Sequence, residues 1–172
     1  MNTKNICFLS TGSNLGNRYQ NLDQARLALA NSVGSLVAES AVYETAAWGV
    51  EDQTPFLNQV LQIETDFNPQ ELLLRCQAIE LSLGRIRTQH WGERMIDIDI
   101  LFFNDAIIEE PNLTVPHPYL HQRRFVLVPM QEIAPNWLHK PMNKTINTLL
   151  KDCEDQLAIR LWTQFQQINQ KD

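Results

Sequence analysis

Two carboxylates, Asp97 and Asp99, stand two residues apart in the stretch G-E-R-M-I-D-I-D-I-L-F-F, residues 92–103. The run around them is short, apolar and β-branched, which predicts a buried strand. Residues i and i+2 of a strand share a face. Both side chains therefore project together, their backbones roughly 6–7 Å apart at a rise of about 3.3 Å per residue. Two like charges on one face of a core strand are costly unless a cation lies between them. Arg94 is one candidate and divalent cations are another; a pair of metals suits phosphoryl chemistry. The same D-x-D pattern also describes the solvent face of a half-buried strand, with Ile96, Ile98 and Ile100 turned to the core.

The neighbourhood bears on the choice. Immediately upstream runs R-I-R-T-Q-H-W-G-E-R, residues 85–94, a polar loop holding Arg85, Arg87, Arg94 and Trp91 in an otherwise acidic chain. Arginine forks match phosphate oxygens, and a Trp can stack on a base. Balancing Glu93, Asp97 and Asp99 is the plainer use of these cations. Together with the carboxylates they could hold a polyphosphate with its Mg²⁺, and a glycine-bearing loop could close over it.

The elements that must position these groups are legible from patterns. Asn5 to Ser10 reads as a first strand, and T-G-S-N-L-G-N after it as a strand-to-helix turn. The turn lacks the Lys and spacing of a P-loop, so a phosphate cradle is the lesser reading. A helix follows, capped by Asn17, striped by Leu22, Ala25, Leu29 and Val33, and stopped near Gly34. Leu36 to Thr45 reads as a second strand and Phe56 to Thr65 as a third, with a loop carrying Trp48 between them. That Trp suits a fold anchor or the wall of a pocket for a flat ligand. Asn58 in the third strand must be satisfied, by backbone or by ligand. A second helix has Asn68 as cap, Pro69 at its first position, Glu71 completing a capping box, and Gly84 as terminator. Gln77 and Glu80 lie at the edge of its apolar face, where solvated residues are the rule. The spacing of His117 and His121 does not make a zinc site without further Cys or His, and His117 fits a hydrogen-bond donor to phosphate. Leu157, Leu161, Phe165 and Ile168 make an amphipathic stripe that predicts a docked helix in the tail from about residue 160.

The chain has 172 residues, 44% of them apolar, which suits one domain over 1–172 with a substantial core. A net charge of −6 with no Lys/Arg block argues against a nucleic acid or an anionic membrane as partner. Three scattered cysteines suit reduced thiols and a cytoplasmic location. Residues 6–9 are too short an apolar run for a signal peptide, and no stretch reaches the length of a membrane span.

The set Y-E-T-A-A-W-G, F-L-N, E-L-S-L-G-R-I-R, W-G-E-R-M-I-D-I-D-I-L, L-T-V-P-H-P and Q-R-R-F-V-L-V-P closely resembles the 6-hydroxymethyl-7,8-dihydropterin pyrophosphokinase family of folate biosynthesis. The resemblance spans residues from about 5 to 135, in order, and W-G-E-R-M-I-D-I-D-I-L is its specific signature. It implies an α+β, ferredoxin-like sandwich, an antiparallel sheet with helices packed on it. It implies transfer of pyrophosphate from ATP to the pterin hydroxymethyl group, releasing AMP, by a monomer that uses two Mg²⁺. By position, Asp97 and Asp99 resemble the metal ligands, and Arg85 and Arg94 the arginines that reach the ATP phosphates, with Arg87 and Trp91 beside them. Gln77, Glu80, Ile100, Thr114, His117 and Arg123 match nucleotide contacts. Thr45, Trp48, Phe56, Asn58 and Phe125 match the pterin pocket. Ala46 and Ala47 stand where the family often has prolines, which predicts a less restricted loop. Asn112 and Pro118 replace an Arg and a Tyr of some members, predicting modest changes in ATP affinity. Two other classes remain: a nucleotidyl transferase or cyclase, which would release pyrophosphate, and a non-catalytic ligand sensor.

Overall fold

The computed structural model describes residues 4–46, 54–85 and 94–163. Its central sheet is antiparallel throughout. β1 (Asn5–Ser13) lies in the middle, paired on one side with β4 (Phe56–Thr65) and on the other with β5 (Asp97–Phe103). β2 (Ser35–Glu39) and β3 (Tyr43–Thr45) both pair with β4, β2 along Leu61–Glu64 and β3 along Phe56–Asn58. The strand expected over Leu36–Thr45 is thus two strands, broken at Ser40. There Ser40 Oγ accepts the Val60 N–H at 3.0 Å and the Ser40 C=O accepts from Gln59 Nε2 at 2.8 Å. A side-chain bond of this kind competes with the ladder and bends the chain.

α1 (Arg18–Ser32) and α2 (Pro69–Ser82) cover one face. Leu22, Ala25 and Leu29 of α1 and Leu72 and Cys76 of α2 meet Cys7, Leu9, Leu61 and Ile63 in one core. Both predicted caps form: Asn17 accepts from the Gln20 N–H, and Asn68 and Glu71 make the reciprocal capping box. Gly84, just past α2, has φ +89°, a conformation that strains any other residue.

α3 (Arg124–Ile133) and α4 (Ile146–Asp152) cover the opposite face, where Val126, Leu127, Met130, Ile146 and Leu149 pack on Phe8, Val60, Leu101 and Phe102. The register of β1 with β5 jumps from Phe8↔Phe102 to Leu9↔Ile100, leaving Leu101 as the extra residue of a bulge. That bulge turns both Leu101 and Phe102 to the α3/α4 side. The fold is therefore the expected α+β sandwich, with helices on both faces of the sheet. Two small hairpins lie apart from it: β6 (Ile108–Glu110) with β7 (Leu113–Val115), and β8 (Leu138–His139) with β9 (Lys144–Thr145).

The tail corrects one expectation. Ile159–Leu161 form strand β10, paired with β3 at the sheet edge, where the stripe predicts a helix. Leu161 is 53% exposed, and it is Trp162, 8% exposed, that enters the core. The spacing of Leu157 and Leu161 fits a helix, but the edge of β3 offers hydrogen bonds that a strand can use. Phe165 and Ile168 lie outside the described residues. All three cysteines are buried and unpaired by disulfides, and burial pushes the Cys7 thiol up to about 12.

Candidate active site

A cleft of about 400 Å³ opens on the sheet face shared with α3. Its floor is β1. Ser10 sits opposite Asp99 on one side and Val60 on the other; Gly12 sits opposite Asp97 and Asn58. Small residues there leave the carboxylates of β5 and the amide of β4 facing one space. A Cβ on Gly12 would lie 3.0 Å from Asn58 Oδ1 and 3.7 Å from Phe56 Cδ1, so the strand position is held open for those side chains.

On the β5 side, Asp97 is gripped by two guanidinium groups. Arg85 Nη1 is 2.7 Å from Asp97 Oδ1, and Arg94 Nη1 donates to Asp97 Oδ2. Arg85 also donates to Glu80 of α2. Glu80 is only 3% exposed, contrary to the general expectation for that helix edge. Its Oε1 accepts the Ile98 N–H at 2.7 Å, satisfying a backbone donor of the edge strand. Burial raises the Glu80 pKa, with the Asp97 charge adding to it against Arg85. Burial works against the Arg85 cation, but Asp97 and Glu80 outweigh it and its pKa ends above the ordinary value.

Among the described residues no guanidinium grips Asp99 in this way, though the charges of Arg123 and Arg94 act on it. Partial withdrawal from bulk water, then repulsion by Asp97, push it up to about 7. His117 Nε2 lies 3.9 Å away, too far for a hydrogen bond. The Tyr119 N–H donates to His117 Nδ1 at 3.2 Å, which leaves the proton of the neutral ring on Nε2. Burial, then Arg123, bring the His117 pKa down to about 4. His117 is therefore a neutral donor at physiological pH and too weak a base to take a proton efficiently. Burial also lowers the Arg123 pKa, opposed by Asp99 and Asp97.

The far wall is different in kind. Asn58, 4% exposed, donates from Nδ2 to Thr45 Oγ1 at 2.8 Å. Phe56 and Phe125 line the same cleft as apolar surface. An amide and two aromatic rings lining one cleft suit a flat heterocycle with a hydrogen-bonding edge.

The cleft thus gathers Thr45, Phe56, Asn58, Gln77, Glu80, Arg85, Arg94, Asp97, Asp99, His117, Arg123 and Phe125. Two of the predicted residues do not line it. Thr114 is exposed on β7, and the Ile100 side chain is buried in the α1/α2 core, leaving Ile100 only its main chain to offer a ligand. Trp48, Arg87 and Trp91 lie outside the described residues. Ser10, Gly12, Leu73, Ile98 and Tyr119 line the cleft without having been singled out in the sequence. The sequence reading ends the first strand at Ser10 and sets Gly12 in the turn after it, whereas β1 runs on to Ser13.

Among the described residues no group of three or more His, Cys, Asp or Glu could enclose a metal. Two hard carboxylates, one of them destabilised by the other, fit Mg²⁺, which takes one or two carboxylates and completes its shell with water and substrate phosphates. An α+β sandwich with paired carboxylates and arginines facing an amide-bearing aromatic wall has the layout of a phosphoryl-transfer enzyme.

Comparison with known proteins sharpens that class. A family model described as 7,8-dihydro-6-hydroxymethylpterin-pyrophosphokinase matches residues 8–135. A Bacillus subtilis 2-amino-4-hydroxy-6-hydroxymethyldihydropteridine pyrophosphokinase is 41% identical over 161 residues, 93% of this chain and 92% of that one. One from Haemophilus influenzae is 39% identical over 155 residues, covering 90% and 96%. The chain belongs to this pyrophosphokinase family. A solved Plasmodium falciparum HPPK-DHPS with pteroate matches with a TM-score of 0.72 at 19% identity, over 88% of this chain and 43% of that one. The chain spans less than half of that protein, and the likeness is one of fold.

Proposed function

We propose that the cleft carries out the family's reaction, transfer of pyrophosphate from ATP to 6-hydroxymethyl-7,8-dihydropterin in folate biosynthesis, with the following division of work. The hydroxymethyl oxygen forms a bond to the β-phosphorus of ATP, the bond from that phosphorus to the α,β-bridging oxygen breaks, AMP leaves, and the hydroxyl proton passes to solvent. The observation that carries the reading is the opposition of the two walls, Asp97 and Asp99 on one side of Ser10 and Gly12 and Asn58 on the other. Asn58, with Thr45, Phe56, Phe125 and Trp48, would hold the pterin; its amide can read the heterocycle's edge. Arg85 and Arg94 would meet phosphate oxygens, with Gln77, Arg87, Trp91, His117, Arg123 and the main chain of Ile100 contacting the nucleotide. Asp97 and Asp99 would hold two Mg²⁺. When bound, Mg²⁺ supplies charge neutralisation and orientation of the phosphates.

No side chain needs to attack, and His117 is too weak a base to serve as one. The residues act by positioning and by placing positive charge where negative charge develops. Glu80 serves by holding Arg85 at Asp97. We place the protein in the cytoplasm as a monomeric single domain, in keeping with its buried reduced thiols.

Product analysis tests the reaction: ATP, Mg²⁺ and the pterin should give pterin-dependent AMP. ADP or free pyrophosphate would move the chemistry to another transfer class, and binding without turnover would mark a sensor. Asp97→Asn or Asp99→Asn should lower kcat by about 10²-fold or more while leaving the fold intact. Near-normal turnover in Mg²⁺ by either variant would remove the two-metal assignment.

A further inference from the structure

The turn between β1 and α1 supplies no group to the cleft, yet its hydrogen bonds reach both walls. Asn14 is 1% exposed. Its Oδ1 accepts the Arg94 N–H at 2.7 Å, and its own N–H donates to the Arg94 C=O at 3.1 Å. Its Nδ2 donates to the Thr54 C=O at 3.3 Å. One buried amide thus fixes the residue three before Asp97 and the residue two before Phe56, which are 40 positions apart from each other. An amide is the side chain for this task, since it offers a donor and an acceptor at once.

The turn is itself held rigid, and a second residue repeats the grip. Asn21 Nδ2 donates to Ser13 Oγ at 3.0 Å and to the Leu15 C=O at 2.9 Å. Arg18 Nη1 donates to the Pro55 C=O at 2.6 Å and lies 2.9 Å from Glu44 Oε2. Glu44 precedes Thr45, and Pro55 precedes Phe56. Both Arg18 contacts thus end beside a residue of the pterin wall, while the Asn21 bonds hold the turn itself.

We infer that Asn14 is a positioning residue for pyrophosphoryl transfer: through one amide it sets Arg94 against the phosphates and the start of β4 against the pterin, so that the two walls keep their spacing together. The inference rests on the reading that Arg94 meets phosphate. A shift of about 1 Å in a positioned group can cost about 10²-fold in rate. Asn14→Ala leaves the Arg94 N–H and the Thr54 C=O without this partner. Asn14→Asp keeps the acceptor for Arg94 but sets an oxygen against the Thr54 C=O.

The test is steady-state kinetics on the full chain, below the melting temperature of every variant. Asn14→Ala should lower kcat by about 10- to 100-fold and raise the pterin KM. Asn14→Asp should raise the pterin KM with a smaller loss of kcat, a split that a merely structural role would not produce. In an Arg94→Ala background, Asn14→Ala should cost little further kcat. A lowered Tm with kcat and pterin KM within about twofold of the parent, or kcat losses that multiply in the double variant, would overturn the inference. Should Asn14→Ala fail to fold, the Asp variant and Asn14→Ser carry the same comparison. If Arg94→Ala turns over normally, the site reading and this inference fall together; if it is slow while Asn14→Ala is normal, only this inference falls.

Discussion

Asp99 shows how a site can be unfavourable to the protein that holds it. Its carboxyl stands at about 7 in the folded chain against an ordinary value of 3.8. Between those values the native state keeps a proton that the unfolded chain has released. Stability therefore falls as pH rises through that window, and the penalty is complete above about pH 7. Asp99→Asn removes the penalty. With no Mg²⁺ present, the variant should melt higher than the parent at pH 8 and alike at pH 4. The Asp99 side chain is 40% exposed, so solvent screening reduces the effect; a gain of about 1 kcal/mol, or about 2–4 °C, is expected. Mg²⁺ with nucleotide should stabilise the parent more than the variant. Thermal melts at both pH values check this, and a variant that melts below the parent at pH 8 would show that Asp99 is not strained by Asp97. A variant that loses turnover while gaining stability is what a site built to receive cations predicts.

At the scale of elements, β1 decides what the cleft can contain. Its Ser10 and Gly12 lie between two strands that carry the chemistry, and a side chain on Gly12 would press on Asn58. Gly12→Ala should displace that amide by a few tenths of an ångström. It should cost about 1–2 kcal/mol of pterin affinity, roughly tenfold, with ATP binding little changed. Fluorescence titration of the pterin measures it, and equal losses for pterin and ATP would mean that β1 itself had moved. This dependence was hidden in the sequence, where Gly12 reads as part of a turn although β1 runs on to Ser13. What was legible was local. Asn68, Pro69 and Glu71 define the start of α2 because capping needs only neighbours. Asp97 and Asp99 share a face because strand geometry has a period of two. Glu80 was not legible as a buried group, since its burial depends on the edge N–H of Ile98, eighteen positions on. Asn14 was missed for the same reason, its partners lying 40 and 80 positions away.

Across the whole molecule, the tail closes the sheet behind the pterin wall. β10 pairs with β3, and the Trp162 N–H donates to the Val42 C=O at 2.8 Å. This arrangement buries Glu44, 3% exposed, between Arg18 of α1 and Arg160 of β10. The Arg18 guanidinium also lies 5.2 Å over the Trp162 ring. The two arginines are unequal partners. Arg18 has a side chain 12% exposed, whereas Arg160 is 64% exposed. Removing Arg18 leaves a buried carboxylate with only a solvated partner, a loss of about 3 kcal/mol. Removing Arg160 takes away a screened surface contact and should cost under about 1 kcal/mol. Arg18→Ala should therefore lower Tm by about 6–12 °C and Arg160→Ala by a few degrees at most. Because Glu44 adjoins Thr45, Arg18→Ala should also weaken pterin binding, while Arg160→Ala should leave it near normal. Thermal unfolding beside pterin titration separates the two. Equal losses from both variants would mean that Glu44 depends on its exposed partner as much as its buried one, and that the tail, not α1, holds β3 in place.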